Sequence, residues 1–560
     1  MKIKSLAVGM MACAALVACS NEDLVEGENG NGNQATEAKA YIAIGIADPT
    51  NGNSRAADFE NGEETERTIS NALFVFYKDG NLKQAVEYNK AIDMDHTNTS
   101  GGNVEAVSKA VIALEASDEN MPNQVVAYLN VLDNETLKNS LKAASTINAA
   151  MNIAGKAAGE EADIADYATS GKFIMTNSVY VEGTTVQCAA PVTSENFAQT
   201  EADALKNSVQ IYVERIAAKV GMTPNESLND NIKPIPVKLA NNAKAELRLN
   251  IKGWGLNGLN KESYLLKNIN ATWTFDSWNW NDNGNKRSYW AKDTNYDGGN
   301  YPASYEDYVN DIDASTLTYI SWNGIDKNNK KSQYCLENTM NAVLATKEQI
   351  NKQTYMLIIG HYDLYENDQK VEGVTELYKY ATIFYQENQL KALLAGKYKS
   401  AGGIYIKETK DNIDTYSSVD DLFSIKRASL SEAKLVFNGD TKVTYYKKVG
   451  DKTYEKYKDV DAINTAILAQ LGTATAYRDG IKTFFYTQIE HLNTNAAEAG
   501  HVGIVRNHVY KLTLNKIENL GEGVYDPNEE IIITNKDKEF YVGATLNILS
   551  WKVVNQGVDL

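Results

Sequence analysis

The chain has 560 residues, which is too long for one hydrophobic core and suggests two to four domains. Its composition, 43% hydrophobic and 23% charged, excludes a fully disordered polypeptide, and its net charge of -18 argues against a nucleic-acid-binding surface. The chain holds 33 tyrosines against 12 phenylalanines and 8 prolines, and tyrosine suits half-exposed strand faces. Composition therefore predicts an acidic, β-rich protein.

The N-terminal segment has the features of a targeting signal. Lys2 and Lys4 precede an apolar stretch over residues 6–17, which ends in the sequence LVAC at Cys19. This order resembles a bacterial lipoprotein signal, in which Cys19 would be lipidated; an ordinary secretory peptide with an incidental cysteine is the alternative. The acidic sequence SNED at residues 20–23 looks like the export tag of surface lipoproteins in Bacteroidetes-type bacteria. The polar stretch that follows is typical of a tether.

A strand is predicted over residues 40–47, where alternation with period two places Ile42, Ile44 and Ile46 on one face. An open polar stretch follows over residues 54–67. An arginine in an exposed loop is a natural site for trypsin-type cleavage, although Arg55 could also be a solvated loop charge. Cleavage after Arg55 would release the tether and the first strand, and would leave a domain that starts at Ala56.

Further elements follow from apolar runs and from helical spacing. Strands are predicted over residues 73–77, 124–131, 209–213, 245–251, 354–360, 483–489 and 509–514, and helices over residues 135–155, 387–395 and 461–471. Residues 221–235 are polar, contain two prolines and give the best domain boundary. Short strands with turns favour β-sandwich domains over a βαβ sheet.

Motifs of common enzymes and metal sites are not found in the sequence. The five histidines do not have metal-ligand spacing, so the sequence predicts no enzyme, no cofactor and no metal site. Residues 293–298 imitate the start of a calcium loop, but Ser304 stands where an EF-hand needs a glutamate, which favours a turn. The tryptophan-rich stretch 273–301 is a candidate sugar-stacking platform or a clamp that holds a long loop to a sheet. Cys188 and Cys335 are interpreted as buried thiols, with a disulfide left open.

Several segments together resemble one family of surface proteins. They are RNHVYKL at 506–512, WKV at 551–553, VERIAAKV at 213–220, KRSYWA at 286–291 and CLENT at 335–339. In this order they are similar to the fimbrillins of the type V pilus of Bacteroidetes-type bacteria, and in particular to the major subunit of the short (minor) fimbria. The resemblance runs from the lipobox to the C-terminus.

The resemblance implies a mainly β fold with two transthyretin-like β-sandwich domains and a few short helices. It implies a signal peptide (1–19), a propeptide with tether and first strand (20–55), an N-terminal domain (56–225) and a C-terminal domain (226–560). In that family an arginine-specific protease removes the lipid and the first strand, and the groove accepts a C-terminal strand of the next subunit. Arg55, the three isoleucines of residues 40–47 and residues 545–560 match the cut, the removed strand and the donor.

The C-terminal segment has the apolar pattern of a donor strand, with a change of phase that suggests a bulge or two short strands. Its apolar residues are Leu546, Ile548, Leu549, Trp551, Val553, Val554, Val558 and Leu560. An ordinary last strand that folds into its own domain is the alternative.

Since both a cut site and a donor strand are predicted, we expect a stalk subunit of a surface fimbria that supports adhesion. The expected partners are other copies of the chain, anchor and tip subunits, the protease and a host or bacterial surface ligand. We expect the precursor to be lipid-anchored at the outer membrane. The alternative is a surface glycan-binding lipoprotein that keeps its lipid.

Overall fold

The computed structural model describes residues 39–49, 62–92, 104–115, 121–156, 173–182, 185–226, 228, 232–268, 291–294, 316–327, 332–339, 352–491, 503–533 and 552–559. The chain divides into two compact units. Unit 1 comprises Met1–Ala217 and Glu262–Thr294, and unit 2 comprises Ala218–Lys261 and Asn295–Leu560. The domain boundary predicted between residues 225 and 226 remains a prediction.

The first twelve strands belong to unit 1. They are β1 (Lys39–Pro49), β2 (Ala72–Lys78), β3 (Asn81–Tyr88), β4 (Val104–Glu115), β5 (Gln124–Leu129), β6 (Ala154–Lys156), β7 (Met175–Asn177), β8 (Tyr180–Glu182), β9 (Thr185–Gln187), β10 (Ala190–Pro191), β11 (Phe197–Ala198) and β12 (Val209–Arg215). Four helices accompany them: α1 (Glu64–Arg67), α2 (Glu135–Ala143), α3 (Ile147–Met151) and α4 (Glu201–Ala204).

A nine-stranded sheet dominates unit 1. Its order is β11-β1-β12-β7-β5-β2-β3, with β4 beside β1 and β10 beside β5. The continuous apolar runs of β2 and β5 are buried on both faces, as expected for strands in the interior of a domain. The predictions of strands at 40–47, 73–77 and 124–131 are confirmed.

The single helix predicted over residues 135–155 is wrong, because the segment forms two helices, α2 and α3. The backbone leaves the helical conformation at Ala144. Thr146 then caps α3, and its hydroxyl accepts a hydrogen bond from the Ala149 backbone N–H at 3.1 Å. Threonine favours this cap over a helix interior, which explains the break.

The remaining strands belong to unit 2, apart from β17 in unit 1 and the first residue of β13. They are β13 (Ala217–Pro224), β14 (Ile235–Leu239), β15 (Lys244–Asn257), β16 (Leu259–Asn260), β17 (Glu262–Tyr264), β18 (Leu317–Thr318), β19 (Ser332–Leu336), β20 (Asn338–Thr339), β21 (Tyr355–Glu366), β22 (Gln369–Lys370), β23 (Leu377–Tyr380), β24 (Ile383–Tyr385), β25 (Tyr405–Lys410), β26 (Ile413–Ser418), β27 (Phe423–Arg427), β28 (Glu432–Phe437), β29 (Tyr445–Lys448), β30 (Tyr454–Lys456), β31 (Ala474–Tyr477), β32 (Lys482–Gln488), β33 (Gly503–Ile504), β34 (His508–Lys516), β35 (Glu522–Gly523) and β36 (Lys552–Asp559). The helices are α5 (Glu387–Ser400) and α6 (Val460–Leu471).

Two sheets of unit 2 share one core. The larger has the order β27-β28-β31-β23-β24-β14-β15-β21-β32-β35, with β22 beside β21, and the smaller has the order β19-β13-β34-β36. Val220 of β13 and Leu512 of β34 lie in one apolar cluster with Trp254 of β15 and Ile358 of β21. This cluster joins the inner faces of the two sheets and defines a β-sandwich.

Strand β21 is buried on both faces at its start. Met356 and Ile358 face the sandwich core, whereas Tyr355, Leu357 and Ile359 lie in a second cluster beneath Trp322 and the 531–533 segment. This explains why residues 354–360 form an apolar run without alternation.

A smaller part of unit 2 is built from α5, α6 and a four-stranded sheet with the order β26-β25-β29-β30, called the small sheet below. Leu390 and Leu394 of α5 pack in one cluster with Ile463 and Ile467 of α6. This helical spacing confirms the helices predicted at 387–395 and 461–471. The predicted mainly β fold class, with sandwich domains and a few short helices, is confirmed.

Candidate functional site

Strand β1 lies in the interior of the unit 1 sheet. Along one edge it pairs antiparallel with β4, from Lys39 opposite Glu115 to Pro49 opposite Val104. Along the other edge its first half pairs with β11, and its second half pairs in parallel with β12, where Ile44 lies opposite Val209. The strand therefore has a neighbour on both sides.

The isoleucines of β1 belong to the core of unit 1. Ile42 and Ile44 are fully buried. In the register Ile42 lies opposite Ile112 of β4, which is also fully buried. The backbone of Ile46 pairs with Ile211, while its side chain lies outside the described residues. The alternation seen in the sequence thus marks an internal strand with a buried face.

Strand β4 depends on β1 for its place in the sheet. Among the described residues, the twelve-residue β4 joins the sheet through β1 alone, and the same is true of the short β11. Loss of β1 would therefore expose the edge of β12 and would leave β4 without the strand that holds it.

The predicted modification sites lie outside the described residues. These are Cys19, Arg55 and Ala56. The described chain ends at Pro49 and begins again at Gly62, so the predicted cut falls between these two points. Lipidation and processing remain predictions.

The C-terminal strand β36 lies at the edge of the smaller sheet of unit 2. It pairs in parallel with β34, and Val553, Val554 and Val558 lie opposite Val509, Tyr510 and Leu514. Leu546, Ile548, Leu549, Trp551 and Leu560 lie outside the described residues. The structure thus places residues 552–559 in the sheet of their own chain. This is the arrangement expected if the segment is an ordinary last strand of its own domain. The donor role remains a prediction.

Two of the segments that carry the family resemblance meet in unit 2. β20, in the CLENT segment, pairs antiparallel with β33, just before the RNHVYKL segment. The Arg506 guanidinium lies 3.2 Å from the Glu337 carboxylate, and both side chains are buried. His491 Nδ1 lies 2.8 Å from the Tyr510 hydroxyl, which accepts a hydrogen bond from the Val505 backbone N–H at 2.8 Å. Burial raises the pKa of Tyr510 well above its usual value.

The first part of the segment at 213–220, which lies in unit 1, is anchored in a similar way. Lys267 Nζ lies 3.4 Å from the Glu214 carboxylate, with both side chains buried. Arg215 Nε donates to the Glu66 carbonyl oxygen at 2.6 Å. Charged side chains of these segments therefore form buried ion pairs and hydrogen bonds inside the protein. Their spacing in the sequence alone did not reveal this role. Residues 286–290 lie outside the described residues, and Ala291 is buried.

Cys188 and Cys335 are buried thiols that are not joined in a disulfide with each other, as interpreted from the sequence. Cys188 Sγ donates to the Lys267 carbonyl oxygen at 3.1 Å, and burial raises the pKa of Cys335 to about 12. Of the predicted calcium-like stretch, Asp293 is buried and Thr294 donates to the Glu262 carbonyl oxygen at 2.9 Å, whereas residues 295–298 lie outside the described residues. So do the four tryptophans of 273–301.

No group of three or more histidine, cysteine, aspartate or glutamate side chains is placed to hold a metal ion in the described parts of the chain. No described helix combines the length and the apolar character needed to cross a membrane.

Comparison with known families identifies the C-terminal region. Residues 475–557 match the family described as major fimbrial subunit protein type IV, fimbrillin, C-terminal. These residues are similar to the C-terminal region of fimbrillins. The matched region contains β31 to β36 and therefore includes both the RNHVYKL segment and the C-terminal strand, so the fimbrillin resemblance seen in the sequence is confirmed. Its closeness to the short-fimbria subunit remains a prediction.

Solved structures show distant similarities. A cell adhesion protein from Parabacteroides distasonis ATCC 8503 is 10% identical, covering 93% of this chain and 98% of its own, with a TM-score of 0.32. A fimbrilin from Porphyromonas gingivalis W83 is 13% identical over 92% of this chain and 97% of its own, with a TM-score of 0.31. A tip fimbrial protein from Porphyromonas gingivalis is 10% identical over 68% and 99%, with a TM-score of 0.26. A search of curated protein sequences finds no match.

Proposed function

We propose that this chain is a fimbrillin that serves as a structural stalk subunit of a cell-surface fimbria. In this proposal the precursor is exported as a lipoprotein, cleaved after Arg55 and polymerised by exchange of a C-terminal donor strand. The observation that carries the proposal is the position of β1, which is paired along both edges inside the sheet of unit 1. Its removal would create a slot with the shape of one strand.

The slot would have a strong affinity for another strand. Burial of an isoleucine side chain contributes about 1.5–3 kcal/mol, so the sites of Ile42 and Ile44 together account for about 3–6 kcal/mol. Each backbone hydrogen bond restored along the exposed edges adds about 1 kcal/mol. An exposed sheet edge is a ready template for strand addition, and a head-to-tail contact of this kind builds an open filament.

The donor assignment is compatible with the edge position of β36. Among the described residues β36 pairs with β34 on one side only, so its departure would open a single strand edge and leave β13 paired with β34. An internal strand could not leave its sheet at so small a cost. We therefore propose residues 545–560 as the segment that fills the slot of the next copy.

N-terminal analysis of a cleavage variant tests the processing step. We expect Arg55→Ala to leave a lipidated precursor that does not polymerise, while Arg67→Ala matures normally to an N-terminus at Ala56. Arg67 is the last residue of α1 and provides a matched control in the same region. Normal maturation of Arg55→Ala would show that the cut lies at another basic residue, such as Arg67 or Lys39.

Deletion of residues 549–560 tests the donor step. We expect a folded, cleaved monomer that forms no polymers, measured by electrophoresis without heating and by electron microscopy. A mixture with intact subunits separates the donor role from the acceptor role. The truncated chain should still accept a strand from an intact subunit, but it cannot donate one, so it should end a filament. Normal filaments formed by the truncated chain alone would refute the assignment.

The expected partners are other copies of the chain in a head-to-tail filament, anchor and tip subunits, an arginine-specific protease and a surface ligand. The mature N-terminus separates this proposal from the alternative. Ala56 supports the pilin, whereas a lipidated Cys19 on mature surface protein would favour a glycan-binding lipoprotein that keeps its anchor.

A further inference from the structure

One face of the small sheet carries a cluster of four tyrosines, one from each strand. Tyr416 of β26 stacks on Tyr454 of β30 with ring centroids 3.9 Å apart and planes inclined by 4°. Tyr405 of β25 meets the Tyr454 ring edge-on at 5.0 Å, and Tyr446 of β29 meets the Tyr416 ring edge-on at 5.3 Å. Rings from all four strands therefore converge above one face of the sheet.

This is the face that points away from the interior. Ile406 and Tyr445, which alternate with the cluster along their strands, pack toward the helices α5 and α6 in the apolar core. The four clustered tyrosines take no part in that core, and each is half-buried. Part of the ring surface thus remains open to solvent, where a flat apolar ligand can lie against it.

The same face carries an excess of positive charge. The register places Lys456 opposite Tyr446 and Lys448 opposite Tyr454. Lys407 Nζ lies 2.5 Å from the Asp414 carboxylate. The same carboxylate accepts a hydrogen bond from the Thr409 hydroxyl at 2.7 Å. Within the described residues, Lys448 and Lys456 form no ion pair, so the face presents two unneutralised ammonium groups on a chain of net charge -18.

We propose that this tyrosine face binds an acidic glycan. The C–H face of a sugar ring is complementary to the exposed aromatic surface, and Lys448 and Lys456 would pair with sulfate or carboxylate groups of the glycan. Asp414 and Thr409 add hydrogen-bonding groups for sugar hydroxyls. Charge decides between a neutral and an acidic ligand, because local positive charge on an acidic protein attracts anions selectively.

This inference does not depend on strand exchange, because every residue in it belongs to unit 2 and lies outside β1 and β36. It can therefore fail while the filament proposal holds, and the reverse also applies. Binding is measured on the full chain with two probes, a sulfated heparin-derived dodecasaccharide and the neutral maltoheptaose.

The main test replaces both free lysines in the variant Lys448→Gln/Lys456→Gln. We expect the Kd for the sulfated probe to rise roughly fivefold to tenfold, since exposed charge pairs contribute modestly each. The control is Lys426→Gln/Lys434→Gln, which removes two lysines that also face each other across a strand pair, without a tyrosine cluster. We expect the control to leave the Kd unchanged and salt to weaken binding by the wild-type chain.

A second variant tests the rings. Tyr416→Phe keeps the stacked pair with Tyr454 and should retain binding, whereas Tyr416→Leu should weaken it while the unfolding midpoint shows an intact fold. The proposal is overturned if the two lysine double variants have equal Kd values. It is also overturned if the wild-type chain fails to bind the sulfated probe or binds maltoheptaose equally well.

Discussion

The Arg506 guanidinium lies 3.2 Å from the Glu337 carboxylate, although the two residues are 169 positions apart in the chain. Only 1% and 2% of the two side chains is exposed to solvent. The Arg506 backbone N–H donates to the same carboxylate at 3.2 Å, so both the charge and the peptide group before β34 are held by Glu337. The pair fastens the start of β34 to β20.

Loss of one partner of this pair should destabilise unit 2 strongly. We expect Glu337→Gln to lower the free energy of unfolding by about 3–5 kcal/mol, because the buried arginine loses the charge of its Glu337 partner. Urea unfolding followed by circular dichroism measures the change. Asp420→Asn is the control, since it breaks an exposed pair with Lys399 and should shift the midpoint little. Equal shifts in the two variants would contradict the expected role of burial.

Buried tyrosines should make the protein sensitive to alkaline pH. Burial raises the pKa of Tyr77 to about 12 and that of Tyr486 to about 12, from a usual value of 10.0. Between about pH 10 and about pH 12, these two tyrosines lose their protons in the unfolded chain and keep them in the folded chain. The stability from these groups is therefore complete below about pH 10 and is lost as the pH rises toward about 12.

The variant Tyr77→Phe tests the sign of this effect. The Tyr77 hydroxyl is buried and has no hydrogen-bond partner in the described part of the chain, so its removal should cost little at neutral pH. We expect the variant to lose less stability than the wild type above about pH 10, measured as urea midpoints along a pH series. A greater alkaline loss in Tyr77→Phe would refute the prediction.

Gly258 should not tolerate a side chain. Its φ is +66°, and a Cβ atom would lie 1.9 Å from the Gln353 carbonyl oxygen. We expect Gly258→Ala to cost roughly 2–4 kcal/mol from strain and steric overlap together. Gly480→Ala provides the control, because Gly480 has a φ of +94° and no atom of the described residues lies within 4 Å of the added Cβ, so only backbone strain of about 1 kcal/mol applies. Both are measured by urea unfolding, and an equal cost would show that the overlap relaxes freely.

The isoleucines of β1 give a test that depends on processing. We expect Ile44→Ala to destabilise the precursor by about 2–5 kcal/mol, since the side chain is fully buried. After cleavage behind Arg55 the strand is gone, and the variant should unfold like the wild-type cleaved chain. Ile112→Ala in β4 is the comparison, because this residue remains in the cleaved chain. An effect of Ile44→Ala on cleaved protein would mean that β1 is retained.

The sequence predicted elements well where local pattern and burial agree. The alternation of Ile42 and Ile44 identified β1, and the apolar runs identified β2, β5 and β21, because the side-chain period follows directly from strand geometry. Helix α5 extends to Ser400, beyond the predicted end at residue 395. The error at α2 and α3 has a local cause as well, since the preference of Thr146 for a helix cap outweighed a continuous apolar spacing.

Long-range relationships could not be predicted in this way. Nothing in the spacing of Glu337 and Arg506 shows that they pair, since their contact depends on how β20 and β33 meet. The tyrosine face has the same origin, because its four rings come from four strands and converge only in the folded sheet. The parallel pairing of β13 with β34 likewise joins segments nearly 300 residues apart. Such contacts depend on which distant strands pair in the folded chain, and local sequence patterns do not determine this pairing.

The double pairing of β1 has a mechanical consequence for any strand that takes its place. A strand bonded along both edges and pulled along its own axis is loaded in shear, so its ladder bonds must yield together instead of opening one after another from an end. A filament joined through such a slot would therefore resist tension along its length. Its rupture under load would be governed by the rate of forced unfolding rather than by equilibrium affinity.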